Sequence, residues 1–560
     1  MGNDYKIKYS YDMISKMLSL IECSKKKFAF FQLYCLFWGA LYTAAALVFP
    51  NAISKIIDQV AIDKKYNLIE EYLLAIIFSG AFMILFNYIQ YMSYYKFGQR
   101  ASIRLKQKLL EKVMKSGGRF KLKYTSGEML RIIEQDTEQI QYLVGEGFGQ
   151  LIVNVLVFIA VMILLLIQQM MIGVVMISIS ILFSMLHFYL SNQLKKDMVS
   201  IRQELGRTSS YTNEIINHSE QVIVSGYVKK FVNDFYQKNR IILDKNISQM
   251  KKSLFGRNLG IAYNVIANAI TLGIGIYSVR NGKMTVGSLL AISMYVQRLY
   301  GPLISISNSY INIKKAIPFI EKIAKVLDNN DIISDGNLKP RYVLKGNIHY
   351  QNVFFKYEIN SILRNFNLKI EEGKFTAIRG ENGSGKSTLI KLLLKIYKCY
   401  SGKIYMDGID INEYSNEYYY NNISVMFQNN FVVSGRLYDI INPGGRNIDK
   451  KNIYKLFDEV KLDIKKFENG LDTYICENNI NISGGELQKI NIIRILIENR
   501  PIVILDEPTS ALDKESESEI CDLLGRILKG KTVIIVTHRE RILEICDHII
   551  NFDDLNECLH

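Results

Sequence analysis

Four stretches of the chain, Tyr72–Tyr95, Phe148–Gln168, Met170–Ser191 and Leu259–Val279, contain no Asp, Glu, Lys or Arg. Each reaches the roughly twenty residues a helix needs to cross the hydrocarbon of a bilayer, where one charged side chain costs a few kcal/mol. Soluble core helices rarely run that long without charge. Phe28–Pro50 and Val286–Ile313 have similar length and character, giving six predicted spans. The third and fourth are separated only by Gln168–Met171, so they form a hairpin.

The formal net charge of +15 would suit a nucleic-acid partner, whose phosphate backbone attracts a basic surface. Its distribution argues against nucleic acid. Eleven Lys and Arg fall between Lys96 and Arg131 and eleven more between Lys195 and Lys252, both groups flanked by apolar spans. That is the positive-inside bias of membrane-protein loops, and aromatic interleaving is missing. The loops therefore alternate, short and outside near Lys64, Gln169 and Asn281, long and basic inside. The inside segments keep helical apolar spacing, as in Met129, Ile132, Ile133 and Ile140, which predicts membrane helices continuing into the cytosol with short turns at their tips. Residues 1–27 show no signal-peptide pattern. Met13, Ile14, Met17, Leu18 and Ile21 lie at helical spacing there, which suits an interfacial helix on the cytosolic leaflet or a turn packed on protein. The seven cysteines have no metal spacing and read as reduced.

Around Asp328–Arg341 the composition turns to Asp, Asn, Gly and Pro, the mark of a linker. The predicted divisions are 28–325 for the membrane domain, 326–343 for the linker and 344–560 for a domain in which β-rich and helical runs alternate. The fold class expected is thus an all-α membrane domain followed by an α/β domain. Phe375–Leu392, FTAIRGENGSGKSTLIKL, reads as a buried strand, a glycine-rich turn and a helix opening at Lys386. Gly380, Gly383 and Gly385 permit positive-φ turns and close approach to a ligand, and the N–H groups of Gly380, Glu381, Asn382, Gly383, Ser384, Gly385, Lys386, Ser387 and Thr388 form an anion cradle. Lys386 can reach nucleotide phosphates and Ser387 can hold Mg²⁺. Further on, Ile502–Leu505 is a buried strand delivering Asp506 and Glu507 to its carboxyl end, one suited to the Mg²⁺ of a bound nucleotide and the other to polarising the attacking water. Ser483, Gly484 and Gly485 open another helical run, a second anion site. One nucleotide has a single γ phosphate, so this second site makes sense facing the nucleotide of a partner subunit.

With these stretches in this order, the chain resembles a half-transporter of the ATP-binding cassette (ABC) exporter type, over nearly its whole length. The resemblance implies a type I exporter fold of six helices followed by a P-loop NTPase, with ATP and Mg²⁺ as the nucleotide and its metal. It makes Tyr357 the aromatic that stacks on adenine, Gln428 a contact to Mg²⁺ and water, and Ser483, Gly484 and Gly485 contacts across the dimer. Asp513 becomes the link between the two sites and His538 the switch that meets the γ phosphate, with Glu507 catalytic. Glu477 resembles the exporter glutamate ahead of the signature. Two departures stand out: Glu486 replaces the family's usual Gln, and Cys476–Asn479 lacks its usual glycines.

The resemblance implies a homodimer, with a heterodimer of half-transporters as the alternative, in a bacterial cell membrane with the cassette in the cytoplasm. Closure of two cassettes on ATP turns an inward-open cavity outward, and hydrolysis resets it. For cargo, the sequence offers Arg298, the only full charge deep in a span, with Gln297, Asn264 and Asn268 as a mildly polar lining. An amphipathic peptide or other hydrophobic compound fits that lining. Lipid flipping, multidrug export and, further off, a non-transporting regulator are the alternatives.

Overall fold

A computed structural model describes residues 15–357, 360–381, 383–428, 434–475 and 482–555 of the chain, the side chain of Lys195 excepted. It divides into two units, Met1–Val113 with Ser126–Asp328, and Met114–Thr125 with Asn329–His560.

Six helices in the first unit are long and apolar enough to cross a membrane: Lys25–Ile62, Tyr66–Lys115, Ser126–Gln168, Met170–Asn217, Val228–Arg280 and Val286–Leu327. Each outruns its apolar span and continues as charged helix, as the spacing of the basic segments predicted. Gln169 alone is extended between the third and fourth, closing the expected hairpin. Large apolar side chains such as Phe30, Ile84, Ile163 and Leu182 stay exposed, which lipid favours as water would not. The interior is tied by polar groups that must find partners away from water: Tyr263 donates to the Val296 carbonyl at 3.0 Å, shares a 2.8 Å hydrogen bond with Ser180 and stacks on Tyr300. The described part of the N-terminal stretch buries Met17, Leu18, Leu20 and Ile21, so it packs on protein, the second of its two readings. Met13 and Ile14 lie outside the described residues.

The domain divisions need two adjustments. The sixth helix runs to Leu327, past the predicted start of the linker. The first of the predicted tips, 114–125, belongs to the second unit rather than to the membrane domain. Its Gly118 N–H donates to the Ile396 carbonyl at 2.6 Å and its Phe120 N–H to the Asp331 carboxylate at 2.5 Å, while the Arg119 guanidinium lies 4.1 Å from the Tyr400 ring centroid. A Cβ on Gly118 would come within 2.2 Å of the Tyr397 ring, so only glycine fits.

The rest of the second unit is α/β. Strands β1 (Ile348–Tyr357), β2 (Asn360–Ile370), β4 (Ser401–Met406) and β5 (Ile409–Asp410) form an antiparallel sheet in the order β2-β1-β4-β5. Strands β3 (Phe375–Arg379), β6 (Ile423–Met426), β9 (Ile502–Asp506), β10 (Thr532–Val536) and β11 (His548–Asn551) form a parallel sheet in the order β11-β3-β10-β9-β6; β7 (Gly435–Arg436) and β8 (Tyr474–Ile475) pair separately. Every residue of β9 and β10 is buried, as expected of parallel strands covered on both faces.

Candidate nucleotide site

The carboxyl ends of β3, β10 and β9 lie side by side and deliver the phosphate loop, His538 and Asp506–Glu507 to one edge of the sheet. Gly383 (φ 84°) and Gly385 (φ 116°) take left-handed conformations that strain other residues. Gly380 does not; a Cβ there would meet Phe552 and the Asp553 carboxylate at 3.1 Å, so close approach is what selects glycine. Gly385 caps the helix Lys386–Leu393 with no side-chain hydrogen bond, which leaves the first-turn N–H groups for an outside acceptor. Asn382 lies outside the described residues.

Lys386 is buried, with Nζ donating to the Gly380 carbonyl at 2.7 Å and the Glu381 carbonyl at 2.6 Å. Burial pushes its pKa below the usual lysine value, against the pull of Asp553, Glu507 and Asp506. Ser387 Oγ donates to Asp506 Oδ2 at 3.3 Å. Burial raises the Asp506 carboxyl above the usual aspartate range, partly offset by that hydrogen bond. A hydroxyl and a carboxylate converging in this way are hard oxygen donors of the kind Mg²⁺ takes.

Glu507 sits at φ 51°, a backbone conformation uncommon outside glycine and held by its N–H donating to the Val536 carbonyl at 2.8 Å. Strain of this sort persists where the surroundings enforce it, and it turns the carboxylate toward Gln428, whose Nε2 donates to Oε2 at 3.1 Å. Gln428 and His538 are exposed. Tyr357 hydrogen-bonds through its hydroxyl with Thr388 Oγ1 at 3.1 Å, and its ring packs edge-on against Phe355 and Tyr397, which holds it beside the loop.

The second predicted anion site is built differently. Ser483 caps the helix Gly484–Glu498 in a capping box: its Oγ accepts from the Glu486 N–H at 3.2 Å, and Glu486 Oε2 accepts from the Ser483 N–H at 2.9 Å and from its hydroxyl at 3.0 Å. Lys466 Nζ pairs with Glu486 Oε1 at 2.7 Å and holds the carboxyl below its usual range, helped by the Ser483 hydrogen bonds and opposed by partial burial. The carboxylate that departs from the family pattern is thus the group that holds the signature serine. Gly485 lies with its Cα against the Ala511 carbonyl, which a Cβ would approach to 3.1 Å. Asp513 lines the same cleft and caps Lys514–Ile527 by accepting from the Ser516 N–H at 3.3 Å. Glu477 and the stretch Cys476–Asn479 lie outside the described residues.

One residue that joins the two parts escaped sequence reasoning. Gln488 is buried; its Nε2 donates to the Glu507 carbonyl at 3.0 Å and to Ser510 Oγ at 3.1 Å, and its Oε1 accepts from the Ala511 N–H at 3.0 Å. Its signal was a polar residue on the stripe that Ile492 and Ile495 make apolar.

In the helical unit, Arg298 Nη1 donates to the Ala46 carbonyl at 2.7 Å and borders a cavity of about 310 Å³ with Tyr42, Thr43, Asn154 and Ser305. Gln297, Asn264 and Asn268 do not line that cavity. Gln297 and Ser293 both donate to Asn268 Oδ1 instead, at 3.2 and 2.8 Å, and Asn264 is exposed.

Two family models match the chain, one described as the ABC transporter transmembrane region over residues 33–303 and one as the ABC transporter over 363–510. A Bacillus subtilis protein, YgaD, with the provisional name of a multidrug export ATP-binding/permease protein, is 26% identical over 91% of this chain and 90% of its own length. An ATP-dependent lipid A-core flippase of Idiomarina loihiensis is 25% identical over 92% of this chain and 89% of its own. A solved bacterial Atm1-family ABC exporter with ATP bound shares the fold, with a TM-score of 0.75 over 94% of each chain at 21% identity.

Proposed function

Since this chain is an ABC transporter, a half-transporter of the exporter type that hydrolyses ATP, we propose that it works as a homodimer that expels an amphipathic or hydrophobic compound from the cytosolic side of a bacterial cell membrane by alternating access. The observation that carries the ATPase half of this reading is one sheet edge where an uncapped helix start, a buried lysine, a Ser387–Asp506 pair and a Gln428–Glu507 pair converge. The loop from Gly380 to Thr388 binds the phosphates, Lys386 exchanging loop carbonyls for β and γ oxygens. Ser387, Asp506 and Gln428 would hold Mg²⁺, which supplies charge neutralisation at the transferred phosphoryl. Glu507 orients and polarises the attacking water, Gln428 keeps that carboxylate turned inward, and His538 meets the γ phosphate. Tyr357 stacks on the adenine. Ser483, Gly484 and Gly485 of each protomer, with Asp513, complete the other protomer's site, so closure needs both chains. The tip 114–125, a piece of the membrane helices built into the cassette unit, is the lever by which closure reaches the spans.

The assay is ATP hydrolysis by the full chain in lipid. Glu507→Gln should retain ATP binding and lose turnover by about a hundredfold or more, since a positioned general base contributes on that scale; hydrolysis at the wild-type rate removes Glu507 from its role. A lipid-flippase reading draws on the Arg298 cavity, whose guanidinium suits a lipid phosphate or a carboxylate. Stimulation of the ATPase by anionic lipid that disappears in Arg298→Ala would favour it.

A further inference from the structure

A cluster of tyrosines around one carboxylate lies elsewhere in the helical unit. Tyr88, Tyr91, Tyr94, Tyr95 and Tyr142 line a cavity of about 380 Å³ together with Glu146. Four of the tyrosines come from the helix Ile69–Lys115, near the cytosolic end of the second span, and Glu146 comes from Leu143–Gly147, a π-helical turn just before the third. Single π turns cluster at functional sites because they turn side chains out of α register at a cost in stability.

The cavity is built rather than incidental. Gly98 and Gly145 bring the two segments together: a Cβ on Gly98 would press the Gln141 carbonyl to 2.7 Å, and one on Gly145 the Tyr94 carbonyl to the same distance. Gly149 makes room for the Tyr94 ring, which is buried and whose hydroxyl accepts from Gln90 Nε2 at 3.2 Å. Gln150 Nε2 bridges Tyr91, at 2.9 Å from its hydroxyl, to Glu146 Oε1. Among the described residues no Lys, Arg or His side chain pairs with Glu146, although basic residues crowd the same end of these helices. A tyrosine belt at a membrane surface needs no carboxylate, and a carboxylate there without a cation has the wrong sign for neighbouring lipid phosphates.

We propose that this cavity is the recognition site for an organic cation, with the tyrosine faces supplying cation–π attraction and Glu146 the counter-charge. It rests on the exporter reading and names a cargo class for it: lipophilic ammonium or phosphonium compounds drawn from the cytosolic leaflet. The same chemistry occurs in a choline headgroup, so the source is part of the test.

Tetraphenylphosphonium and tetraphenylborate have the same shape and opposite charge, and their binding to the full chain in lipid nanodiscs is measured by calorimetry against empty discs. The wild type should bind the cation, with Glu146→Gln weakening it about tenfold and leaving the borate unchanged, as loss of one charge partner implies. Tyr88→Leu and Tyr95→Leu, both at exposed positions, should each weaken the cation by a few-fold, as loss of a cation–π face implies. Phosphatidylcholine discs that lower cation affinity relative to phosphatidylglycerol discs would identify the headgroup as a competing occupant of the same site. Equal losses for cation and borate in Glu146→Gln, or no loss, overturn the proposal. So does absence of cation binding in wild-type protein that hydrolyses ATP, a result that leaves the exporter reading standing.

Discussion

Two helix starts in the cassette are made from the same materials, glycines and a hydroxyl, and they differ in what occupies their donors. At Lys386–Leu393 the N-cap is Gly385 in a left-handed conformation, and no side-chain cap hydrogen bond is made among the described residues. At Gly484–Glu498 the N-cap is Ser483, and Glu486 closes a capping box that engages both the serine N–H and its hydroxyl. The first start is open to a phosphate from its own side. The second already carries an internal anion, so on the proposed reading a partner's phosphate would have to displace a carboxylate that Lys466 also holds. Anion sites built on helix dipoles therefore need not be equally ready, and on the proposed reading nucleotide would load at the first before the second engages.

Substitutions test that contrast. Lys386→Ala should abolish useful nucleotide affinity, a loss of about ten- to a hundredfold for a charge-assisted phosphate contact. Ser483→Ala should leave loading nearly intact and lower turnover; fluorescent ATP-analogue binding beside steady-state hydrolysis separates the two, and equal binding losses would erase the distinction. Gln488→Ala should lower kcat about tenfold with KM little changed, since it removes hydrogen bonds that place the Glu507 backbone rather than contacts to ATP. A KM effect instead would make Gln488 part of loading.

Glu486→Gln should strengthen ATP-dependent pairing of the cassettes by a few-fold, because a neutral amide yields the serine hydroxyl more readily. Its ion pair with Lys466 is largely exposed on the lysine side, so thermal stability should change little. Weaker pairing in Glu486→Gln, followed by light scattering, would contradict the competition. Finally, the two starts should part company in acid. Burial holds the Asp506 carboxyl high, so as pH falls it protonates before an ordinary aspartate and its grip on a divalent cation weakens; excess Mg²⁺ should restore hydrolysis. Glu486 is depressed, chiefly by Lys466, so the stability its charge contributes is full above the unfolded carboxylate range and is lost progressively as pH falls from there through the lower folded value. Hydrolysis that declines in acid without any rescue by Mg²⁺ would count against this assignment.

Much of the molecule was readable in advance. The six spans follow from stretches too long and too uncharged for a water-soluble core, and the phosphate loop from residues adjacent in the chain, whose backbone geometry glycine controls locally. Arg298 was visible as a charge in an apolar run, whereas its carbonyl partner at Ala46, 252 residues away in the chain, was not. The expected left-handed Gly380 failed because its constraint is a neighbour's bulk, from Phe552 and Asp553 far along the chain.

The order of residues settled what is governed by hydration and local conformation: which stretches are long and apolar enough to span a bilayer, where the chain turns, and which loop takes left-handed glycine turns. Folding settled what depends on side chains distant in sequence coming within hydrogen-bond reach. Lys466 neutralises Glu486, Gln488 reaches the Glu507 backbone, the tip 114–125 joins the cassette unit, and tyrosines of one helix surround a carboxylate of another. Periodicity assigns each such residue to a face. Which partner it meets there is a matter of a few ångströms, set by how the elements pack.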